Sequence, residues 1–206
     1  MNFQALIVLN GNLPSKDKTT QIFKESSYVI AADRGYQKLK DYNLTPHVTL
    51  GDFDSLKKTP QDCEVIKYES EKDKTDGELA IEYALHKKCQ KIIILGFQGG
   101  EREDHVAGHY ALLLKYAPQV EIEVYGETST LYVVTHYLQI NGGVGDLVSL
   151  MTFDTKGVEV KTTGLKYPLF EEKLFPGSLG LSNELVSEIA TIQIPEGTLF
   201  VFHSAR

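Results

Sequence analysis

From Gln4 to about Tyr125, short apolar runs alternate with amphipathic stretches, and beyond that point the pattern changes. Ala5–Leu9 (ALIVL), Tyr28–Ala32 (YVIAA), His47–Leu50 (HVTL), Lys91–Leu95 (KIIIL) and Glu121–Tyr125 (EIEVY) are strand-length and mostly apolar, as strands buried on both faces require. The segments between them, Lys18–Lys24, Tyr36–Tyr42, Thr75–His86 and Asp104–Tyr116, carry helical spacing. In Thr75–His86 the side chains of Leu79, Ala80, Tyr83 and Ala84 recur at i, i+1, i+4 and i+5, which draws one buried stripe. Strands and helices in alternation predict a parallel sheet covered on both faces.

After about Gly126 the helical spacing stops. Leu131–Thr135, Leu138–Ile140, Leu147–Phe153, Val158–Lys161, Ile189–Ile194 and Leu199–His203 read as strands separated by glycine, asparagine and proline turns. Asn141–Asp146 (NGGVGD) is a turn and not a phosphate loop, because no helix follows to supply an N-terminal anion site. The expected architecture is α/β: an N-terminal parallel-sheet, Rossmann-like domain over residues 1–126, then a C-terminal antiparallel β-sandwich or barrel domain over 127–206.

Composition narrows the function classes. The 206 residues are 42% hydrophobic and 24% charged, ordinary values for a globular protein. A net charge of −7 weighs against a nucleic-acid footprint. No run approaches the ~18–20 apolar residues of a membrane span. Cys63 and Cys89 fall in no metal-ligand or CxxC spacing and are expected to be reduced. The N-terminal stretch lacks the basic start and long apolar core of a signal peptide, so a cytoplasmic setting is expected.

The chemistry lies in acidic clusters at the strand ends, where open α/β sheets bind ligands. Asp33 follows Tyr28–Ala32, and Gly51-Asp52-Phe53-Asp54-Ser55 follows His47–Leu50. Asp73-Lys74-Thr75-Asp76 opens the long helix, and Gly99-Gly100-Glu101-Arg102-Glu103-Asp104-His105 follows Lys91–Leu95. A turn at Phe53 would aim Asp52 and Asp54 at one ion, and hard oxygen ligands of this kind suit Mg²⁺. Read alone, the pair is equally an ordinary turn with a capping aspartate. Asp73 or Thr75 could likewise be only a helix cap, with Glu78 completing a capping box from Thr75. Carboxylates gathered at one sheet edge repel one another, and a divalent cation, Lys74 and Arg102 would relieve this. Gly99-Gly100 lets backbone N–H groups approach a phosphate, and Arg102 suits bidentate phosphate contact. No GxxxxGK[ST] or GxGxxG motif is present, and His105 and His109, at i, i+4, lack an intervening HExxH glutamate.

In this order the motifs resemble those of the thiamine pyrophosphokinase family. They are Leu9-Asn10-Gly11 with Leu13-Pro14; Ala32-Asp33-x-Gly35; Gly51-Asp52-Phe53-Asp54-Ser55; Asp73-Lys74-Thr75-Asp76 with Glu78-Leu79-Ala80; Arg102-x-Asp104-His105; and Thr163-Gly164-Leu165-Lys166-Tyr167-Pro168-Leu169 followed by Gly180-x-Ser182-Asn183-Glu184. The resemblance covers nearly the whole chain. It implies an α/β domain that binds ATP and Mg²⁺, a β-rich domain that binds thiamine, and a homodimer with active sites between subunits. It further implies that the thiamine hydroxyl attacks the β-phosphorus of ATP, giving thiamine diphosphate and AMP. By motif position, Asp52, Asp54 and Asp76 would hold Mg²⁺. Asp33, Arg34, Asp73, Lys74, Thr75, Arg102 and Asp104 would contact nucleotide or substrate, and Ser182 and Asn183 would bind thiamine. Asp76 and Asp104 are both candidates to act on the hydroxyl, with Arg102 offsetting phosphate charge.

Three departures stand out: Arg34 where glycine is common, Gly100-Glu101-Arg102 where Gly-Gly-Arg is usual, and His109 where asparagine is common. With no tryptophan in the chain, Phe200 or Tyr167 is left to stack on thiamine, unless both are core. The rivals are a diphosphokinase with another acceptor such as a pterin alcohol, a catalytically dead binding module, and a DxD glycosyltransferase. The last explains Asp52 and Asp54 but none of the other motifs.

Overall fold

The chain folds into two units by its own contacts, Met1–Tyr116 with Val120–Glu127 and Ala117–Gln119 with Thr128–Arg206. The structure is a computed structural model that describes residues 3–53, 60–69, 71–100 and 102–206. In the first unit the strands are β1 (Gln4–Val8), β2 (Tyr28–Ala32), β3 (Val48–Gly51), β4 (Glu64–Lys67), β5 (Lys91–Leu95) and β6 (Glu121–Tyr125). All run parallel, in the order β6-β5-β1-β2-β3-β4. The order reverses at β1, with β2 on one flank and β5 on the other, which opens a crevice at the carboxyl ends there.

Four helices cover this sheet: α1 (Lys16–Glu25), α2 (Gly35–Asp41), α3 (Asp76–His86) and α4 (Glu103–Tyr116). Alternate strand residues serve opposite faces. Leu6, Val8, Val29, Ala31, Ile93 and Leu95 share a cluster with Ile22 of α1 and Leu39 of α2. Ile7 and Ile94 meet Ile81 of α3 and Leu113 of α4 on the other face. That double burial is why these strands are apolar without a break. The expected parallel sheet is present.

The helix starts obey local rules. Ser15 caps α1, its Oγ accepting the Lys18 N–H at 3.3 Å. Thr75 caps α3, accepting the Glu78 N–H at 3.2 Å. The expected capping box is only half made, however. Glu78 turns to α4 instead, taking Lys115 Nζ at 2.5 Å and the Tyr116 hydroxyl at 3.1 Å. A helix-to-helix tie has replaced the local one.

The second unit is a β-sandwich. Its strands are β7 (Thr130–Val134), β8 (Tyr137–Asn141), β9 (Leu147–Met151), β10 (Val158–Thr163), β11 (Phe170–Leu174), β12 (Asn183–Glu184), β13 (Ile189–Gln193) and β14 (Leu199–Ser204). Antiparallel neighbours run β12-β9-β14-β7 in one layer and β11-β10-β13-β8 in the other. The core between the layers joins Val148 and Leu150 of β9 and Val201 of β14 to Val160 of β10 and Ile192 of β13. In β10 buried and exposed residues alternate strictly, the mark of a strand with one wet face. Among the described residues, no helix is long and apolar enough to cross a membrane.

The expected turn at Asn141–Asp146 is held by a buried carboxylate. Asp146 accepts the Gly143 N–H at 3.0 Å, the Arg206 N–H at 3.1 Å and a bond from His203 Nε2 at 2.9 Å. These contacts, His203 foremost, favour the charged form and hold the carboxyl below its ordinary value of 3.8. A depressed folded-state acid constant contributes stability above the unfolded value, lost as pH falls through the folded one. Below about pH 4, Asp146→Asn is therefore expected to flatten the fall of the melting temperature with pH. Parallel acid limbs for the variant and the wild type would remove Asp146 from this role.

Candidate active site

The loops beyond the parallel strands are locked to one another by backbone bonds. After β1, the N–H groups of Leu9, Gly11 and Asn12 donate to the carbonyls of Leu95, Gly96 and Gln98 at 2.9, 2.8 and 2.7 Å. A Cβ at Gly11 would lie 2.1 Å from the Gln98 oxygen, so no other residue fits this seam. After β2, Asp33 has φ +46 and donates its N–H to the Leu50 carbonyl at 2.8 Å. Gly35 then starts α2 so close beneath β1 that a Cβ would meet the Val8 oxygen at 2.0 Å. After β3, Phe53 has φ +61 and is buried, a sharp turn that carries Asp52 to the strand end. Asp54, expected beside it, lies outside the described residues.

These loops surround a cavity of about 470 Å³ at the N-terminus of α3. Asp33, Asp52 and Asp76 form its acidic wall, near enough for the charges of the first two to act on the third, and Arg34, Lys72 and Arg102 bring basic groups to the lining. Lys74 and Thr75 also line it. Of the expected first-unit residues, Asp73 and Asp104 do not.

Asp76 is shifted by its surroundings. Burial pushes its carboxyl above the usual 3.8, and the charges of Asp33 and Asp52 add to that; Lys72 opposes both. Lys72 Nζ lies 2.9 Å from Asp76 Oδ1. That oxygen is buried, and beyond this ion pair it has no hydrogen-bond partner among the described residues.

A divalent cation fits this chemistry: hard oxygen donors, like charges that repel, and one buried carboxylate oxygen with no described partner beyond Lys72. Mg²⁺ is held by one or two carboxylates plus substrate phosphates more often than by a full protein cage. Among the described residues, no three His, Cys, Asp or Glu side chains are gathered so that they could hold a metal ion by themselves.

Arg102 and Lys74 have defined partners. Arg102 and Asp104 make a two-point pair, Nε to Oδ1 at 2.9 Å and Nη2 to Oδ2 at 2.6 Å. The guanidinium holds the Asp104 carboxyl well below the usual carboxylate range. Lys74 reaches away to both oxygens of Glu82, at 2.7 and 2.8 Å. Successive left-handed glycines, Gly99 (φ +79) and Gly100 (φ +85), precede Arg102.

Sequence reasoning singled out neither Lys72 nor a binding role for His109. Lys72 stands four residues before Asp76 but ahead of the Thr75 cap, so the spacing is not that of a helical pair and gives no signal in the sequence. His109 Nδ1 lies 3.0 Å from the Phe97 carbonyl, which only accepts, so this nitrogen carries the proton. Burial first of all lowers its acid constant and keeps the ring neutral, with Nε2 near Gly77.

In the second unit, Ser182 is exposed at φ +59, its N–H donated to Ser149 Oγ at 3.0 Å. Asn183 is buried. Its Oδ1 accepts the N–H groups of Tyr167 at 3.0 Å and Glu184 at 2.9 Å, and its Nδ2 donates to the Tyr167 carbonyl at 2.7 Å. One amide N–H remains for a ligand. The two candidate stacking aromatics separate: Phe200 is fully buried, whereas Tyr167 is 62% exposed.

Known proteins share this fold. Residues 19–125 match the family model described as thiamin pyrophosphokinase, catalytic domain, and residues 135–199 match thiamin pyrophosphokinase, vitamin B1 binding domain. Thiamine pyrophosphokinase of Bacillus subtilis (strain 168) is 31% identical, with 87% of this chain and 88% of that protein covered. The crystal structure of the Bacillus subtilis enzyme superposes with a TM-score of 0.84 at 28% identity, covering 98% of this chain and 99% of that one. That of thiamin pyrophosphokinase from Geobacillus thermodenitrificans gives 0.81 at 29% identity, covering 98% of each chain. Thiamin pyrophosphokinase from Candida albicans gives 0.81 at 17% identity, covering 98% of this chain and 89% of that one, a likeness of fold. By sequence match along both units and by fold, this chain belongs to the thiamin pyrophosphokinase family of enzymes.

Proposed function

We propose that the protein transfers the diphosphate group of ATP to the hydroxyl of thiamine, giving thiamine diphosphate and AMP, in a Mg²⁺-dependent reaction. The observation that carries this reading is the cavity at the N-terminus of α3, lined by Asp33, Asp52 and Asp76 together with Arg34, Lys72 and Arg102. Phosphoryl-type transfer needs positioning and charge neutralisation more than covalent catalysis. Asp52, Asp54 and Asp76 would hold Mg²⁺, which when bound supplies neutralisation of the phosphate charge. Arg34 and Arg102 suit planar contacts to phosphate oxygens. The N-terminus of α3, capped by Thr75, adds N–H groups and a favourable dipole. Asp33 and Thr75, which line the cavity, would complete the substrate contacts, whereas Asp73 lies outside the lining and Lys74 would have to leave Glu82 to join them.

Of the two aspartates proposed to act on the hydroxyl, Asp76 lines the cavity and Asp104 does not. Asp104 is claimed by Arg102 and suits the orienting of that guanidinium. In the second unit, the Ser182 hydroxyl and the remaining Asn183 N–H would receive thiamine, and exposed Tyr167 is the aromatic available to stack on it.

Two wider readings accompany this one. Among the described residues, the exposed large apolar side chains all lie between Tyr137 and Ile189. An apolar surface of that kind supports a homodimer formed through the second unit. Free Cys63 and Cys89 support a cytoplasmic setting.

Incubation with ATP, Mg²⁺ and thiamine is expected to release AMP in step with thiamine diphosphate, with no turnover in excess chelator. ADP as the co-product would mean monophosphate transfer and overturn the proposal. Faster turnover with a pterin alcohol would reassign the acceptor.

A further inference from the structure

We propose that Lys72 is the resident counter-cation of the cavity, pairing with Asp76 while no metal is bound and passing to the nucleotide's phosphates when metal and nucleotide enter. The inference rests on the reading of the carboxylates as a divalent-cation site.

The cavity's cations are not equivalent. Arg102 is held by Asp104, and Lys74 is held by Glu82. Lys72 instead pairs with an aspartate of the acidic wall itself, at 2.9 Å. Both side chains are mostly buried, 18% and 23% exposed, so the contact is shielded from solvent. Lys72 precedes the Thr75 cap, so this is not a pair on a helix surface. The loop folds back and lays the ammonium over the first residue of α3. Beyond this ion pair, the buried Asp76 Oδ1 has no other hydrogen-bond partner among the described residues.

A divalent cation held by Asp76 would compete with the Lys72 ammonium, now 2.9 Å from Oδ1, for the same carboxylate, and repulsion between the two positive charges would favour release of the lysine. A lysine stem is flexible, and its ammonium suits phosphate as well as carboxylate. The Tyr68 ring, 5.9 Å from Nζ, borders its swing. Charge balance is thereby kept in both states: lysine against carboxylate when empty, metal against carboxylate and lysine against phosphate when loaded.

The test is a pair of titrations on the wild type, Lys72→Met and Lys72→Arg. Mn²⁺ binding without nucleotide is read by the paramagnetic resonance of the free ion. Binding of a non-hydrolysable ATP analogue with Mg²⁺ is read by calorimetry. Lys72→Met is expected to tighten Mn²⁺ roughly tenfold and to weaken the analogue by a similar factor, the scale of one charge interaction. Lys72→Arg should keep wild-type behaviour in both. Unchanged or weaker Mn²⁺ binding in Lys72→Met, or unchanged analogue binding, would overturn the proposal and leave Lys72 a structural partner only. Failure of the wild type to bind Mn²⁺ would instead remove the metal site, and this inference with it. Should Lys72→Met not fold, Lys72→Gln carries the same two readouts.

Discussion

Asp76→Asn is expected to lower turnover by on the order of 10²–10³-fold, the usual cost of removing one preorganised electrostatic contact from a reaction centre. The fold should survive and even gain. Asp76 is a buried carboxylate whose acid constant is raised above 3.8, chiefly by desolvation, with Asp33 and Asp52 adding to it. The sign follows from linkage: a raised folded-state value means the charged form is disfavoured by folding. The penalty is absent below the unfolded value and grows as pH rises through it. Asparagine has the same shape and no charge, so the variant should melt above the wild type at pH 7, with the difference closing below about pH 4. Steady-state kinetics and melting curves at two pH values check both halves. Full activity would take Asp76 out of the reaction centre. A melting temperature that falls at pH 7 would mean that the Lys72 pair outweighs burial and repulsion. Lost activity joined to gained stability is the signature of a site that carries strain for function.

The long parallel strands were legible because burial on both faces forces near-continuous apolar runs, as in Ala5–Val8 and Ile92–Leu95. Three strands gave no such signal: β4 (Glu64–Lys67), β11 (Phe170–Leu174) and β12 (Asn183–Glu184). Each lies at the end of its strand order. β11 exposes four of its five residues, and β4 buries none of its four fully. Backbone ladders hold such edges, and backbone bonds leave little trace in side-chain pattern.

The site divides in the same way. Aspartates following apolar strands were visible because strand ends are where such sheets bind ligands. The choice of partners was not, since those partners come from loops that fold back or from another helix. Lys72 reaches Asp76 across a loop, and Glu78 leaves its capping box for Lys115 and Tyr116 thirty-seven and thirty-eight residues away. Asp104, equal to Asp76 as a base on paper, is claimed by Arg102 two residues earlier. Composition cannot rank two carboxylates that differ only in neighbours.

The two aromatics open to thiamine before the fold was known make the clearest stability contrast. Phe200→Ala is expected to cost about 3–5 kcal/mol, the range for deleting a buried phenyl ring. Phe200 is fully buried in β14, between β7 and β9, and its ring meets Phe153 edge-on at 5.5 Å. Neighbouring strands fix the backbone on both sides, so the void has little room to collapse. Tyr167→Ala, at a residue 62% exposed, should change stability by no more than about 0.5 kcal/mol. Urea unfolding of both variants reads the difference as a shift of the midpoint, which falls far for Phe200→Ala and hardly at all for Tyr167→Ala. The kinetic effects should invert that order: Tyr167→Ala is expected to raise the KM for thiamine with the KM for ATP unchanged. A stable Phe200→Ala with weakened thiamine binding would exchange the two assignments. The ring in the core would then be the one that reads the substrate, which its zero exposure denies.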